Sequence, residues 1–273
     1  MKKFLVPTDF SENARNALLS AMELARVFGA EIVLCTVYNQ PSSGQSVLRD
    51  LSAQLKAGAQ EDLEFEIEEV SAKYPDIQIS TKALKGDTSS TIAKAAELER
   101  ADLIILGKTG RSGLSNKIFG SVALKTIELA HKPLLLIPES WKYNPIDKLC
   151  LASDLSDADY QKILRPLISF ADAYKAMVDI LHFTETDSDL GNLYEDGSSA
   201  KSAIEKELSD TPHHFTFGIR DNISKAIIQH IDTADFHLMC MVKHEYPWIQ
   251  KVFRSSPTVE AVVRTKVPLL VLQ

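Results

Sequence analysis

One pattern that occurs twice constrains this chain more than any other feature. Lys3-Phe-Leu-Val-Pro-Thr-Asp9-Phe-Ser11 returns as Lys148-Leu-Cys-Leu-Ala-Ser-Asp154-Leu-Ser156, and Lys132-Pro133-Leu-Leu-Leu-Ile137 returns as Val267-Pro268-Leu-Leu-Val-Leu272. Each first motif is followed by a helical stretch and another apolar run. A repeat of this length calls for two copies of one domain rather than one large core. The 273 residues suffice for two ordinary domains, one over residues 1–139 and a second over 147–273. The linker Glu139–Asp147 contains Trp141, Tyr143 and Pro145, which make it stiffer than a Gly/Ser tether and favour packing of the two domains.

Within each copy, short apolar runs alternate with helical periodicity. In the first copy the pattern predicts strands at Lys2–Thr8, Glu31–Val37, Ile77–Leu84, Leu103–Leu106 and Leu134–Ile137. Helices are predicted at about Ser11–Phe28, Val47–Tyr74 and Thr88–Glu99, with another from Ser121. Gly29 supplies a stop for the first helix. In the second copy, strands are predicted near Lys148–Ala152, Val178–Phe183, His214–Phe217, Phe236–Val242 and Leu269–Leu272. Parallel strands need crossovers, so the alternation predicts an α/β fold: two tandem copies of a mainly parallel open sheet of five strands, with helices on both faces. The polar stretch Glu185–Ser199 reads as a solvated insert, since its acidic residues lack calcium-loop spacing.

Charge and the start of the chain narrow the function. A formal net charge of -7 disfavours general binding to nucleic acid or anionic membrane, because most of the surface repels polyanions. Met1-Lys2-Lys3-Phe4 runs directly into a strand pattern, with no long apolar segment and no cleavage site, so a cytoplasmic protein is expected. Cys35, Cys150 and Cys240 sit in separate apolar runs, which suits buried, reduced thiols.

The stretch with the most chemistry is Gly107-Lys-Thr-Gly110, then nine residues, then Gly120-Ser121. A strand that feeds a glycine-rich loop and then a helix start can hold phosphate on backbone N–H groups and the helix dipole. Loop punctuation with an ordinary helix cap is the plain alternative. A Walker A loop is excluded, because the glycine it needs is replaced by Asp102. With its context added, the segment resembles the universal stress protein (UspA) family, whose ATP-binding members carry Gly-x2-Gly-x9-Gly-Ser/Thr. Gly107, Gly110, Gly120 and Ser121 fit that motif without a gap, Phe4–Ser11 looks like the family's opening strand and turn, and Lys132–Pro138 looks like its closing strand. The resemblance covers the first half fully and the second more weakly.

The resemblance implies a Rossmann-like fold, similar to adenine nucleotide alpha hydrolases, with strand order 3-2-1-4-5. It puts adenine near Pro7, Thr8, Asp9 and Val37, ribose near Gly107 and Gly110, and phosphates at Gly120, Ser121 and Val122. The implied cofactor is ATP, with or without Mg²⁺. Asp9, two residues before Ser11, can equally serve only to cap a helix, and Asp87 or Thr88 can cap the next one. Lys108, Arg111 and Lys117 can reach phosphates or simply be solvated.

The second copy departs from the motif. Alignment backward from Pro268 sets Val242, Glu245 and Ser255 where the three glycines should stand, with Tyr246, Pro247 and Trp248 filling the loop, so no ATP is expected there. Ser256, Lys251 and Arg254 leave some basic and hydroxyl character nearby. Zinc would accept His237, Cys240 and His244 with His213 and His214, but the spacing is no zinc signature and an odd offset sets His237 and Cys240 on opposite sides of a strand. No metal site is expected. No catalytic set stands out, so the chain reads as a regulatory, stress-response nucleotide binder. The alternatives are a weak ATPase at the same site and an interaction module independent of nucleotide. The resemblance implies pairing of the two domains through Leu134–Ile137 and Leu269–Leu272, with a further homodimer left open.

Overall fold

The computed structural model describes residues 1–39, 47–109, 120–155, 158–184, 199–243 and 266–273. They divide into two compact units, Met1–Tyr143 and Asn144–Gln273. In the first unit the strands are β1 (Lys3–Pro7), β2 (Glu31–Tyr38), β3 (Ile79–Lys85), β4 (Leu103–Gly107) and β5 (Leu134–Ile137). Its helices are α1 (Glu12–Phe28), α2 (Val47–Ser71), α3 (Thr88–Leu98) and α4 (Ser121–Leu129). All strands are parallel, in the order β3-β2-β1-β4-β5. Phe4, Leu5 and Val6 of the central β1 are fully buried, as an apolar run between two layers of helices requires. Arg15 of α1 pairs with Glu69 of α2 on one face, and α3 packs against α4 on the other.

Local chemistry sets the helix ends. Ser11 caps α1 by accepting a hydrogen bond from the Ala14 N–H at 3.2 Å. Gly29 ends it in the left-handed conformation, φ 59°, with its N–H donated to the Ala25 carbonyl. Asp87 caps α3 by accepting the Ser90 hydroxyl at 2.9 Å and the Ser90 N–H at 3.3 Å, and those hydrogen bonds, the hydroxyl's first, hold its carboxyl below its ordinary pKa. The long second helix stops at Ser71, short of the position that Pro75 suggests.

The second unit comprises β6 (Lys148–Ala152), β7 (Met177–Thr184), β8 (His213–Ile219), β9 (Leu238–Val242) and β10 (Leu269–Leu272), in the parallel order β8-β7-β6-β9-β10. This repeats the 3-2-1-4-5 order. Its described helices are α5 (Tyr160–Ile163), α6 (Arg165–Tyr174), α7 (Ser199–Glu207) and α8 (Ile223–Ala234). The single α1 of the first unit thus has two short helices as its counterpart. Pro166 at the start of α6 has no N–H to continue the ladder, which accounts for the break.

The two units also match in their rarest backbone conformations. Phe10 and Leu155 both have positive φ, 62° and 53°, and in each case the residue's N–H is donated to the hydroxyl two positions earlier, Thr8 or Ser153. Arg100 and Asp235, just before β4 and β9, lie at 53° and 55°. Gly29 at 59° is matched by Lys175 at 53°. Such geometries are uncommon for L-residues, so their agreement in place is a strong mark of one architecture used twice. Among the described residues no helix is long and apolar enough to cross a membrane.

Candidate functional site

A cavity of about 300 Å³ opens beyond the carboxyl ends of β1 and β4, where the strand order reverses. It is lined by Pro7, Thr8 and Asp9 after β1, by Cys35 and Val37 of β2, by Thr88 and Ile92 of α3, and by Leu106, Gly107 and Thr109 from β4 onward. Ala14 of α1 and Gly120 to Ala123 complete it. The turn after β1 is held from both sides. Thr8 donates its N–H to the Cys35 carbonyl at 2.8 Å, and the Asp9 carboxylate accepts the Ser11 N–H at 3.1 Å and the Ser11 hydroxyl at 2.6 Å. Asp9 therefore braces the capping residue of α1 while facing the cavity.

The glycines have separate physical reasons. A Cβ on Gly107 would lie 2.8 Å from Asn13 Nδ2 and 3.1 Å from the Asn13 backbone carbon, so the packing of α1 alone forbids a side chain there. Gly120 is the N-cap of α4 and makes no side-chain hydrogen bond, which leaves the first amides of that helix free of a side-chain cap. Its own N–H is donated to the Lys108 carbonyl at 2.8 Å, closing the base of the intervening segment. Burial lowers the Lys108 ammonium to about 8. Cys35, fully buried at the cavity wall, has its thiol pushed up to about 12 by the same desolvation, which keeps it protonated and unreactive.

Pro7, Thr8, Asp9, Val37, Gly107, Gly120, Ser121 and Val122, assigned from different parts of the sequence, all line this one cavity. Gly110, Arg111 and Lys117 lie outside the described residues, as do residues 185–198 of the polar insert and the positions from His244 to Ser256. Cys35, Thr88, Ile92, Leu106 and Thr109 were not anticipated. Three of them had a signal: Cys35 stands two residues from Val37 on the same strand face, and Thr88 and Ile92 stand one turn apart on α3.

Residues 1–138 match the profile of the Universal stress protein family. The chain belongs to the universal stress protein family. Among its relatives, Universal stress protein MJ0531 of Methanocaldococcus jannaschii is 33% identical over 147 residues, covering 52% of this chain and 84% of that protein. Universal stress protein MJ0577 of the same organism is 26% identical over 152 residues, with 50% and 94% covered. The crystal structure of a universal stress protein from Archaeoglobus fulgidus covers 99% of this chain and 96% of its own, with a TM-score of 0.69 at 19% identity, and so shares its fold.

In the second unit of this universal stress protein, the strand register locates the positions that correspond to the cavity. Lys3 pairs with Glu31 and Lys148 with Met177, so Phe183 stands where the first unit has Val37. Its partner across the ladder is Gly218, the counterpart of Leu84. The exchange is coupled by volume, since a Cβ on Gly218 would lie 3.0 Å from the Phe183 ring. The Arg220 guanidinium sits over the same ring at 5.6 Å. Likewise Phe4 pairs with Leu103 and Leu149 with Leu238, so Val242 stands where the first unit has Gly107.

Among the described residues, the histidines considered for zinc, His213, His214 and His237, have other partners. His237 precedes β9 rather than lying on it, so the argument from strand alternation does not apply, and its Nδ1 is 2.6 Å from the Asp147 carboxylate. His214 and His230 both face the buried Asp179, at 3.1 and 2.9 Å, and Thr216 donates its hydroxyl to the same carboxylate. Among the described residues no group of three or more His, Cys, Asp or Glu side chains is placed to hold a metal ion.

Proposed function

We propose that the first unit binds one adenine nucleotide, ATP, and that the second unit serves as a partner domain without nucleotide in a regulatory protein. The observation that carries this reading is convergence. Side chains and amides from β1, β2, β4 and α4, assigned to adenine, ribose and phosphate from the sequence resemblance, share one cavity at the switch point. An apolar wall of Val37, Ile92 and Leu106 suits a base, and the uncapped N-terminus of α4 suits phosphate. Phe183 and Val242 support a counterpart of different shape in the second unit, since they stand where the first unit has the cavity-lining Val37 and Gly107.

The test is calorimetric titration of ATP, with and without Mg²⁺, into the full chain and a Val37→Phe/Leu84→Gly variant that copies the pairing of the second unit. One ATP per chain, weakened at least about tenfold in the variant, is expected, since the exchange removes the Val37 wall and reshapes the base site. Two per chain, or none, overturns the reading.

A further inference from the structure

We propose that Asn13 is a positioning residue for the phosphates of the nucleotide, acting by fixing the backbone at Lys108 and Thr109, to which Gly120 at the start of α4 is hydrogen-bonded. The inference rests on the cavity of the first unit being a nucleotide site. Asn13 does not line that cavity, and it is 5% exposed in the first turn of α1. Its Nδ2 donates to the Thr109 carbonyl at 2.7 Å and to the Thr109 hydroxyl at 3.0 Å. Thr109 is itself part of the cavity wall. One residue back, the Lys108 carbonyl accepts the N–H of Gly120, the N-cap of α4. Asn13 thus reaches the helix end assigned to phosphate through Thr109, Lys108 and Gly120, without touching the ligand.

Packing alone does not explain an asparagine here. Its Oδ1 is buried and has no hydrogen-bond partner among the described residues. A buried unpaired acceptor is destabilising, and an apolar side chain of similar size avoids that cost. What an apolar side chain lacks is the paired donation to Thr109. The second unit agrees: counted from the shared left-handed residue, the corresponding position is Ala158, whose methyl makes no such bonds, and the neighbouring Asp159 is exposed and pairs with Lys162. The tether occurs in the unit that carries the glycine cradle.

Asn13→Asp keeps the shape but sets an oxygen against the Thr109 carbonyl, and Asn13→Ala removes the amide. Titration of both variants with ATP and with adenosine, beside hydrogen exchange at the Lys108 and Gly120 amides, separates positioning from packing. The expected result is ATP weakened by about tenfold or more and adenosine by less than about threefold, with faster exchange at Gly120. Equal weakening of both ligands, or unchanged ATP affinity with only a lower melting temperature, makes Asn13 a packing residue and overturns the proposal. If the unsubstituted chain takes up no ATP, the nucleotide reading itself fails. In that case unchanged exchange at Gly120 overturns the tether, and faster exchange overturns its link to phosphate.

Discussion

Lys108 is half-buried beside the cavity, and desolvation lowers its ammonium from 10.5 to about 8. The sign of the linkage follows. Below pH 8 the lysine is charged in both the folded and the unfolded chain, and the folded state bears the desolvation cost. Between pH 8 and 10.5 the unfolded chain binds the extra proton, so stability rises with pH, with a slope of at most about 1.4 kcal/mol per pH unit. Lys108→Met is therefore expected to be more stable than the natural chain at pH 7, with the advantage shrinking as pH rises through that window. Chemical denaturation at pH 7, 8.5 and 10 checks this. A constant difference across the three would mean that the ammonium is already well solvated in the folded state.

At the scale of elements, the two copies end their first helix with the same left-handed turn but not with the same residue. Gly29 adopts φ 59° without steric cost, whereas Lys175 holds 53° with a Cβ in the way. Lys175→Gly is expected to stabilise the chain by about 1 kcal/mol, read as a higher midpoint in denaturant at an unchanged slope. No gain would mean that the lysine makes compensating contacts. Gly29 was legible as a stop because glycine is the usual residue there, and Lys175 gave no such sign. The same division runs through the fold. The apolar runs Phe4–Val6 and Leu134–Ile137 announced buried strands, since continuous apolar residues fit a parallel sheet covered on both faces. The break at Leu164 was not drawn from Pro166, and the strand expected from Phe236 begins two residues later at Leu238. In the site, the resemblance sets ribose near Gly107, yet its missing side chain first accommodates Asn13, a contact between residues far apart in sequence that no local pattern reveals.

At the scale of the whole molecule, the proposal that nucleotide binds the first unit alone makes an asymmetric response the expected one. With ATP at about a hundred times its dissociation constant, the first unit gains about 2.7 kcal/mol of protection by mass action. Hydrogen exchange should slow in the core strands of Met1–Tyr143 and stay unchanged in Asn144–Gln273. Equal slowing in both would assign nucleotide to the second unit as well. The pairing of Phe183 with Gly218 adds a historical consequence to that asymmetry. With the ring in place, restoring a side chain at position 218 forces a Cβ to within 3.0 Å of it, and trimming the ring first leaves a hole that the glycine cannot fill. Each single step back meets a tight contact or a hole that the double step avoids. On the reading that only the first unit takes nucleotide, the paired exchange would act as an evolutionary ratchet after duplication: with both changes made, a return to the first unit's arrangement would need two coordinated substitutions, whatever the cell asked of the protein.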